Sequence, residues 1–159
     1  MKKNLFTLAI LTIFGAAMAF AQPRAIGGRI GGGLDFSYEH GLGSGNMVSI
    51  EAGVPLFSTL EVAATYDWID PFGATVPWEE KGEWHWYMGV GGVVATNFNF
   101  NAAFIGAAGR FGIEYDFWFP LQLSIDWRPA LGAAVASNAA AFGHDLYAGA
   151  LGLGVRYKF

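Results

Sequence analysis

From Ala25 on the dominant pattern is a period of two in apolar and polar side chains, the spacing that sends neighbouring side chains to opposite faces of a β-strand. Ile26, Ile30, Leu34, Phe36 and Tyr38 share one parity; Arg29, Asp35, Ser37 and Glu39 share the other. The same split separates Val48, Ile50, Ala52 and Val54 from Ser49 and Glu51, and Leu60, Val62, Ala64, Tyr66 and Trp68 from Glu61, Thr65 and Asp67. Trp84, Trp86, Met88 and Val90 alternate with His85, Tyr87 and Gly89, and Ile105, Ala107, Phe111, Ile113 and Tyr115 with Arg110 and Glu114. Leu121, Leu123, Ile125 and Trp127 oppose Gln122, Ser124, Asp126 and Arg128. Tyr147, Leu151, Leu153, Val155, Tyr157 and Phe159 oppose Arg156 and Lys158. One face is apolar and the other carries the charge, which predicts an all-β chain.

Composition excludes the helical alternative. Hydrophobic residues make up 53% and charged residues 14%, yet beyond the N-terminus no apolar run approaches the ~20 residues of a membrane helix. Gly (23), aromatics (16%) and few Pro (6) suit closely packed strands rather than disorder. Cysteine is absent, which excludes disulfides, thiolate metal sites and a lipid-modified cysteine. Residues 1–21 carry Lys2 and Lys3, an apolar stretch from Leu5 to Phe20 and the small-residue pattern Ala19, Phe20, Ala21, which predict a cleaved secretory signal peptide. The remaining 22–159 suffice for one domain. They carry a formal charge of -6 once Lys2 and Lys3 are removed from the total of -4, so there is no basic surface for nucleic acid.

Alternation does not say which face is outside, because a soluble barrel for an apolar ligand would turn its apolar face inward. Three features favour a membrane barrel. The polar face is rich in Gly, Ala and Ser with sparse Arg, Asp and Glu, as in a narrow filled lumen where charges must pair. Arg29, Arg110, Arg128 and Arg156 are therefore expected to pair with Asp35, Glu51, Glu61, Asp67, Glu114 and Asp126. Tyr38, Trp68, Trp84, Trp86, Tyr115, Trp127 and Tyr157 are expected near strand ends, where aromatic girdles lie at the two interfaces. Tyr157 and Phe159 resemble the terminal aromatic signal by which outer-membrane barrels are recognised for assembly.

Bacterial single-chain barrels have an even number of strands. Uninterrupted runs give seven, and a hairpin at Gly31, Gly32 and Gly33, with glycines at positive φ, makes eight. The strands are expected at 24–31, 33–41, 46–55, 59–69, 83–95, 103–117, 120–130 and 145–159. A periplasmic N-terminus puts the outside loops near Gly32 and at 55–59, 96–102 and 131–144.

The segments AIGGRIGGGLDFSY (25–38), WYMGVG (86–91), GIEYDFWFPLQLSIDWRP (112–129) and GLGVRYKF (152–159) resemble a family of small outer-membrane barrels common in Bacteroidetes, eight-stranded in the manner of OmpX and OmpA. The resemblance covers most of the mature chain and is sharpest from Glu114 to Pro129. It implies a tight periplasmic turn at Phe117 to Pro120 and a final strand ending at Phe159. The chain departs from the pattern in a shorter 55–59 loop and a longer 69–83 connection that includes Pro71, Pro77, Glu79, Glu80 and Lys81. The resemblance bears on location and fold and says little about activity.

A lipid-modifying enzyme would need a nucleophile beside a base. Among the three histidines, His40 lies beside Glu39, His85 has the polar parity and His144 adjoins Asp145; no serine stands at a recognisable spacing from them. The histidines have no metal-ligand spacing. Glu79, Glu80 and Glu83 read as a solvated turn before a cation site. The glycine runs 31–33 and 89–92 open no helix and are not phosphate loops. The expectation is a porin-like outer-membrane protein with a structural or surface-interaction role. It has no open pore, catalytic residues, cofactor or metal, and its partners are outer-membrane lipid and the barrel-assembly machinery. The alternatives are a lipid-modifying barrel enzyme and a secreted soluble barrel.

Overall fold

The structure, a computed structural model, describes residues 22–43, 45–55, 58–72, 81–99, 102–136, 139–145 and 150–159. The expected signal peptide, 1–21, lies outside them, as do Pro77, Glu79, Glu80 and Tyr147. Ten strands form: β1 (Gln22–Ile30), β2 (Leu34–Gly43), β3 (Asn46–Gly53), β4 (Thr59–Ile69), β5 (Gly82–Asn97), β6 (Ala102–Phe117), β7 (Gln122–Trp127), β8 (Ala130–Ala136), β9 (Ala139–Asp145) and β10 (Leu151–Lys158). All ladders are antiparallel, and the order β5-β4-β3-β2-β1-β10-β7-β6 closes through β5 with β6 into an eight-stranded barrel.

The two further strands, β8 and β9, prolong the wall. β6 pairs β7 from Phe111↔Trp127 and β8 up to Ala108↔Ala130, so the register is unchanged across Arg128 and Pro129. Gly109 N still donates to Pro129 O at 2.9 Å. Pro129 has no N–H to return to Gly109 O, so the β6 ladder loses one bond there, while Arg128 N still donates to Ala150 O at 2.8 Å on the β10 side. β9 pairs β8 and no other strand among the described residues, whereas β10 pairs both β7 and β1. Residues 131–144, expected as a loop, are thus mostly a β-hairpin standing above the short β1–β2 hairpin, and the last expected strand, 145–159, begins as β10 at Leu151. Ala and Gly occupy both faces of 130–145, so alternation fades there although the backbone stays extended.

The closure is strongly staggered. Register partners run from Glu83 through Asp116, Gln122, Arg156, Gly27, Ser37, Glu51 and Ala63 to Val93, ten residues further along the strand where the circuit began. A barrel with such stagger tilts its strands by roughly 35–45° and leaves an interior that side chains fill.

Two rims result. The near rim holds the start of β1, the end of β2 and start of β3, the end of β4 and start of β5, the turn at 117–122 and the end of β10; the far rim holds 31–33 and the other strand ends. At the near rim Gly43 and Gly45 take positive φ (76° and 79°). Gly31 and Gly33 do not, which corrects the expected reason for glycine there. A Cβ would lie 2.4 Å from Leu151 O at Gly31 and 2.5 Å from Val54 O at Gly33, so close backbone approach excludes larger residues.

Candidate functional site: the barrel lumen

Because parity is kept along every stave, the polar set points inward and the apolar set outward. Arg29, Arg110 and Arg156 are at most 3% exposed, while Ile30 and Leu153 are about 60% exposed. Among the described strands, no outward position carries Asp, Glu, Lys or Arg. A soluble barrel for an apolar ligand would have the reverse facing.

The ten residues expected as a charge network are all brought to the lumen. Arg29 donates from Nε to Asp126 at 2.7 Å and from Nη2 to the Ala150 carbonyl at 2.7 Å, and faces Asp35 at 3.4 Å. Arg110 reaches Asp67 at 3.1 Å, Asp126 at 3.2 Å and Glu39 at 3.4 Å. Its guanidinium lies 4.6 Å from the centre of the Tyr87 ring, whose hydroxyl donates to Asp126 at 3.2 Å. Arg156 donates to Ser124 at 2.7 Å, Ser37 at 2.8 Å and Gln122 at 3.2 Å. Arg128 donates to Glu61 at 2.7 Å. Glu114 takes bonds from Gln122 and Arg24.

Glu51 is the hub. Arg128, Arg110, Arg156 and Arg29 approach its carboxylate at 3.1, 3.5, 3.7 and 3.9 Å, although no well-aligned hydrogen bond reaches either oxygen. One carboxylate thus screens four buried guanidinium groups that would otherwise repel one another. Glycines leave room for this crowding: a Cβ on Gly152 would fall 2.3 Å from Arg29 Cζ, and one on Gly112 2.5 Å from Tyr87 Cζ.

Four charged members were missed from sequence. Glu39 is fully buried and faces Arg24, Arg110 and Arg156 at 3.0, 3.4 and 3.4 Å. Its parity with Asp35 and Ser37 was signal enough. Asp116 and Lys158, 3.1 Å apart at the near rim, also have inward parity. Arg24 breaks the rule: the β1–β2 register shifts between Pro23 and Ala25, so Arg24 is a bulged residue that turns inward to Glu39, Glu114 and Asp116.

Above this network the lumen changes character. A partly enclosed cavity of about 300 Å³ runs down from Pro55, Gly143 and Asp145 at the far rim to Arg29, Asp35, Glu61 and Arg128. One side is apolar, with Val93, Ala108 and Ala130 packed beside Ala63 and backed by Phe104.

On the outer wall the expected girdle is one-sided. The rings of Trp84 and Tyr115 meet tilted at 4.8 Å, and those of Tyr115 and Phe117 at 4.6 Å and of Tyr157 and Phe159 at 5.5 Å edge-on, all at the near rim. Trp86 contacts Phe72, and Trp68 contacts Tyr66, towards the same rim. Tyr38 and Trp127 lie away from the rims: Tyr38 pairs mid-strand with Ile26 and Ile50, and the wall continues past Trp127 as β8. An outer groove of about 390 Å³ beside Trp86, Phe111 and Trp127 has no serine or histidine in its lining. His40 bonds Tyr38 at 2.8 Å and His85 bonds Asp70 at 2.9 Å, while Ser37, Ser49 and Ser124 engage Arg156 and Asp67.

Comparison with known proteins gives no match: no family model, no curated protein and no solved structure corresponds to the chain.

Proposed function

We propose that the mature chain, 22–159, is a small integral outer-membrane barrel with a structural or surface-interaction role, exported through a cleaved signal peptide and closed to solutes. One observation carries this reading: among the described residues the wall is apolar on the outside of every stave, with no charged residue at an outward strand position, while Arg29, Arg110 and Arg156 are buried within. Exposed apolar belts of this extent mark contact with lipid or protein, and a closed barrel satisfies its backbone groups without an edge in the hydrocarbon. The one-sided aromatic rim fits an interface with headgroups, and the lower lumen holds interlocked ion pairs where a pore would need water. Kinship with the Bacteroidetes barrels, assembly through the Tyr157 and Phe159 signal and the absence of catalysis belong to the same proposal.

The test is fractionation of cells producing the full chain. The protein is expected in outer-membrane fractions, extractable with detergent only, without residues 1–21, and faster on gels before heating than after. Recovery in a soluble fraction would overturn the reading. Channel currents in a planar bilayer would overturn closure alone.

A further inference from the structure

We propose that the far-rim cavity is a binding site for a small amphipathic organic cation, an amine carried on an apolar body. This goes beyond the membrane reading and needs only the folded barrel.

The argument begins with volume. About 300 Å³ lies at the lower end of small-molecule pockets. The small side chains of Ala95, Ala108 and Ala130, where the lower lumen has arginine and glutamate, leave that space open. The apolar wall formed by Val93, Ala108, Ala130 and Phe104 suits a hydrocarbon body, and the Phe104 ring can also attract a cation.

The charged end decides the sign. Asp35, Glu61 and Asp145 line the cavity against Arg29 and Arg128. Both arginines are already paired: Arg29 with Asp126 and the Ala150 carbonyl, Arg128 with Glu51 as well as Glu61. Glu61 gives one oxygen, Oε1, to Arg128, and Oε2 has no partner among the described residues. Its side chain is 22% exposed, the most open of the acids that bind the lumen arginines. An ammonium group there would gain a charge-assisted hydrogen bond, whereas a carboxylate would meet the acid excess.

The experiment uses the full mature chain refolded into nanodiscs of zwitterionic lipid, with hexylammonium, hexanoate and hexanol as probes. Affinities are read from amide and methyl shifts of Val93, Phe104 and Ala108. Hexylammonium is expected to bind at least about tenfold more tightly than hexanoate, a difference of about 1.4 kcal/mol, and to weaken as salt is raised while hexanol does not. Glu61→Gln should remove most of the preference for the amine. Ala108→Leu should weaken all three probes by filling the cavity, with heat-shifted gel mobility as the check that the barrel has formed. Equal binding of the three probes, tighter hexanoate, or a preference unchanged in folded Glu61→Gln would overturn the proposal.

Discussion

The lower and upper halves of the lumen are enclosed by the same staves and filled by opposite means. In the lower half, Arg24, Arg110 and Arg156 interlock with Glu39, Glu114 and Asp126, and Gly112 and Gly154 leave space that the Tyr87 ring and the Arg156 guanidinium take. In the upper half, alanines and Val93 line a cavity whose charge lies at its floor and, as Asp145, at its mouth. β6 shows the change along one strand: Glu114 and Arg110 give way inward to Ala108 and then Phe104. Parity fixes which face a residue joins; the kind of residue then decides whether that part of the lumen is locked or open. A locked half resists change and an open half absorbs it.

The strongest way to break that comparison is to remove a shared anion. Glu39→Ala would leave Arg24, Arg110 and Arg156 facing a void, and breaking a buried pair by removing one partner costs about 3–5 kcal/mol. We predict a loss of that size in a urea titration of protein refolded into lipid vesicles. A loss below about 1 kcal/mol would mean that the lower lumen is wet and its pairs screened.

The facing itself is tested by two arginines on β5. Val90 is 59% exposed on the outer wall, while Ala95 lines the cavity directly opposite Glu61 on β4. Val90→Arg is predicted to cost ~2–4 kcal/mol if the wall meets hydrocarbon, and Ala95→Arg much less because a carboxylate awaits it. Equal effects, or a worse one at Ala95, would undo the membrane reading.

Much of this was legible in the sequence because barrel strands obey one local rule. Alternation placed Arg29, Asp35, Glu51 and Asp126 on the inner face and Leu153 and Ile125 on the outer one, and eight staves followed from parity with the 31–33 hairpin. What the rule could not reach depends on structure across strands. Arg24 turns inward through a bulge that is defined only by pairing with β2. The hairpin at 130–145 is hidden because alanine and glycine give both faces one character. The hub role of Glu51 comes from the stagger, which brings Arg29, Arg110, Arg128 and Arg156 to one level from distant points in the chain.

A smaller effect probes one bond within the locked half. Tyr87→Phe keeps the ring beside Arg110 and removes only the hydroxyl that donates to Asp126, which retains Arg29 and Arg110. We predict a loss of about 1 kcal/mol, the net worth of one hydrogen bond, with spectra unchanged elsewhere. A loss above about 3 kcal/mol would show that Asp126 depends on the tyrosine more than on its arginines.

The smallest effect is expected where the same new side chain enters each half. Ser37→Val deletes the hydroxyl that accepts from Arg156 Nε at 2.8 Å, in a position with no exposure, so it leaves a buried charged donor short of a partner and costs about 1–3 kcal/mol. Ala108→Val adds two methyl groups beside a cavity of about 300 Å³ and removes no polar contact. Each buried methyl group is worth at most about 0.8 kcal/mol, and a β-branched residue suits a strand, while imperfect fit against Ala130 and Val93 opposes both. The net change is therefore predicted to stay within about 1 kcal/mol of zero, read as a shift in urea midpoint at constant slope. If Ala108→Val cost as much as Ser37→Val, the upper lumen would be packed as tightly as the lower, and the two halves would differ in polarity alone.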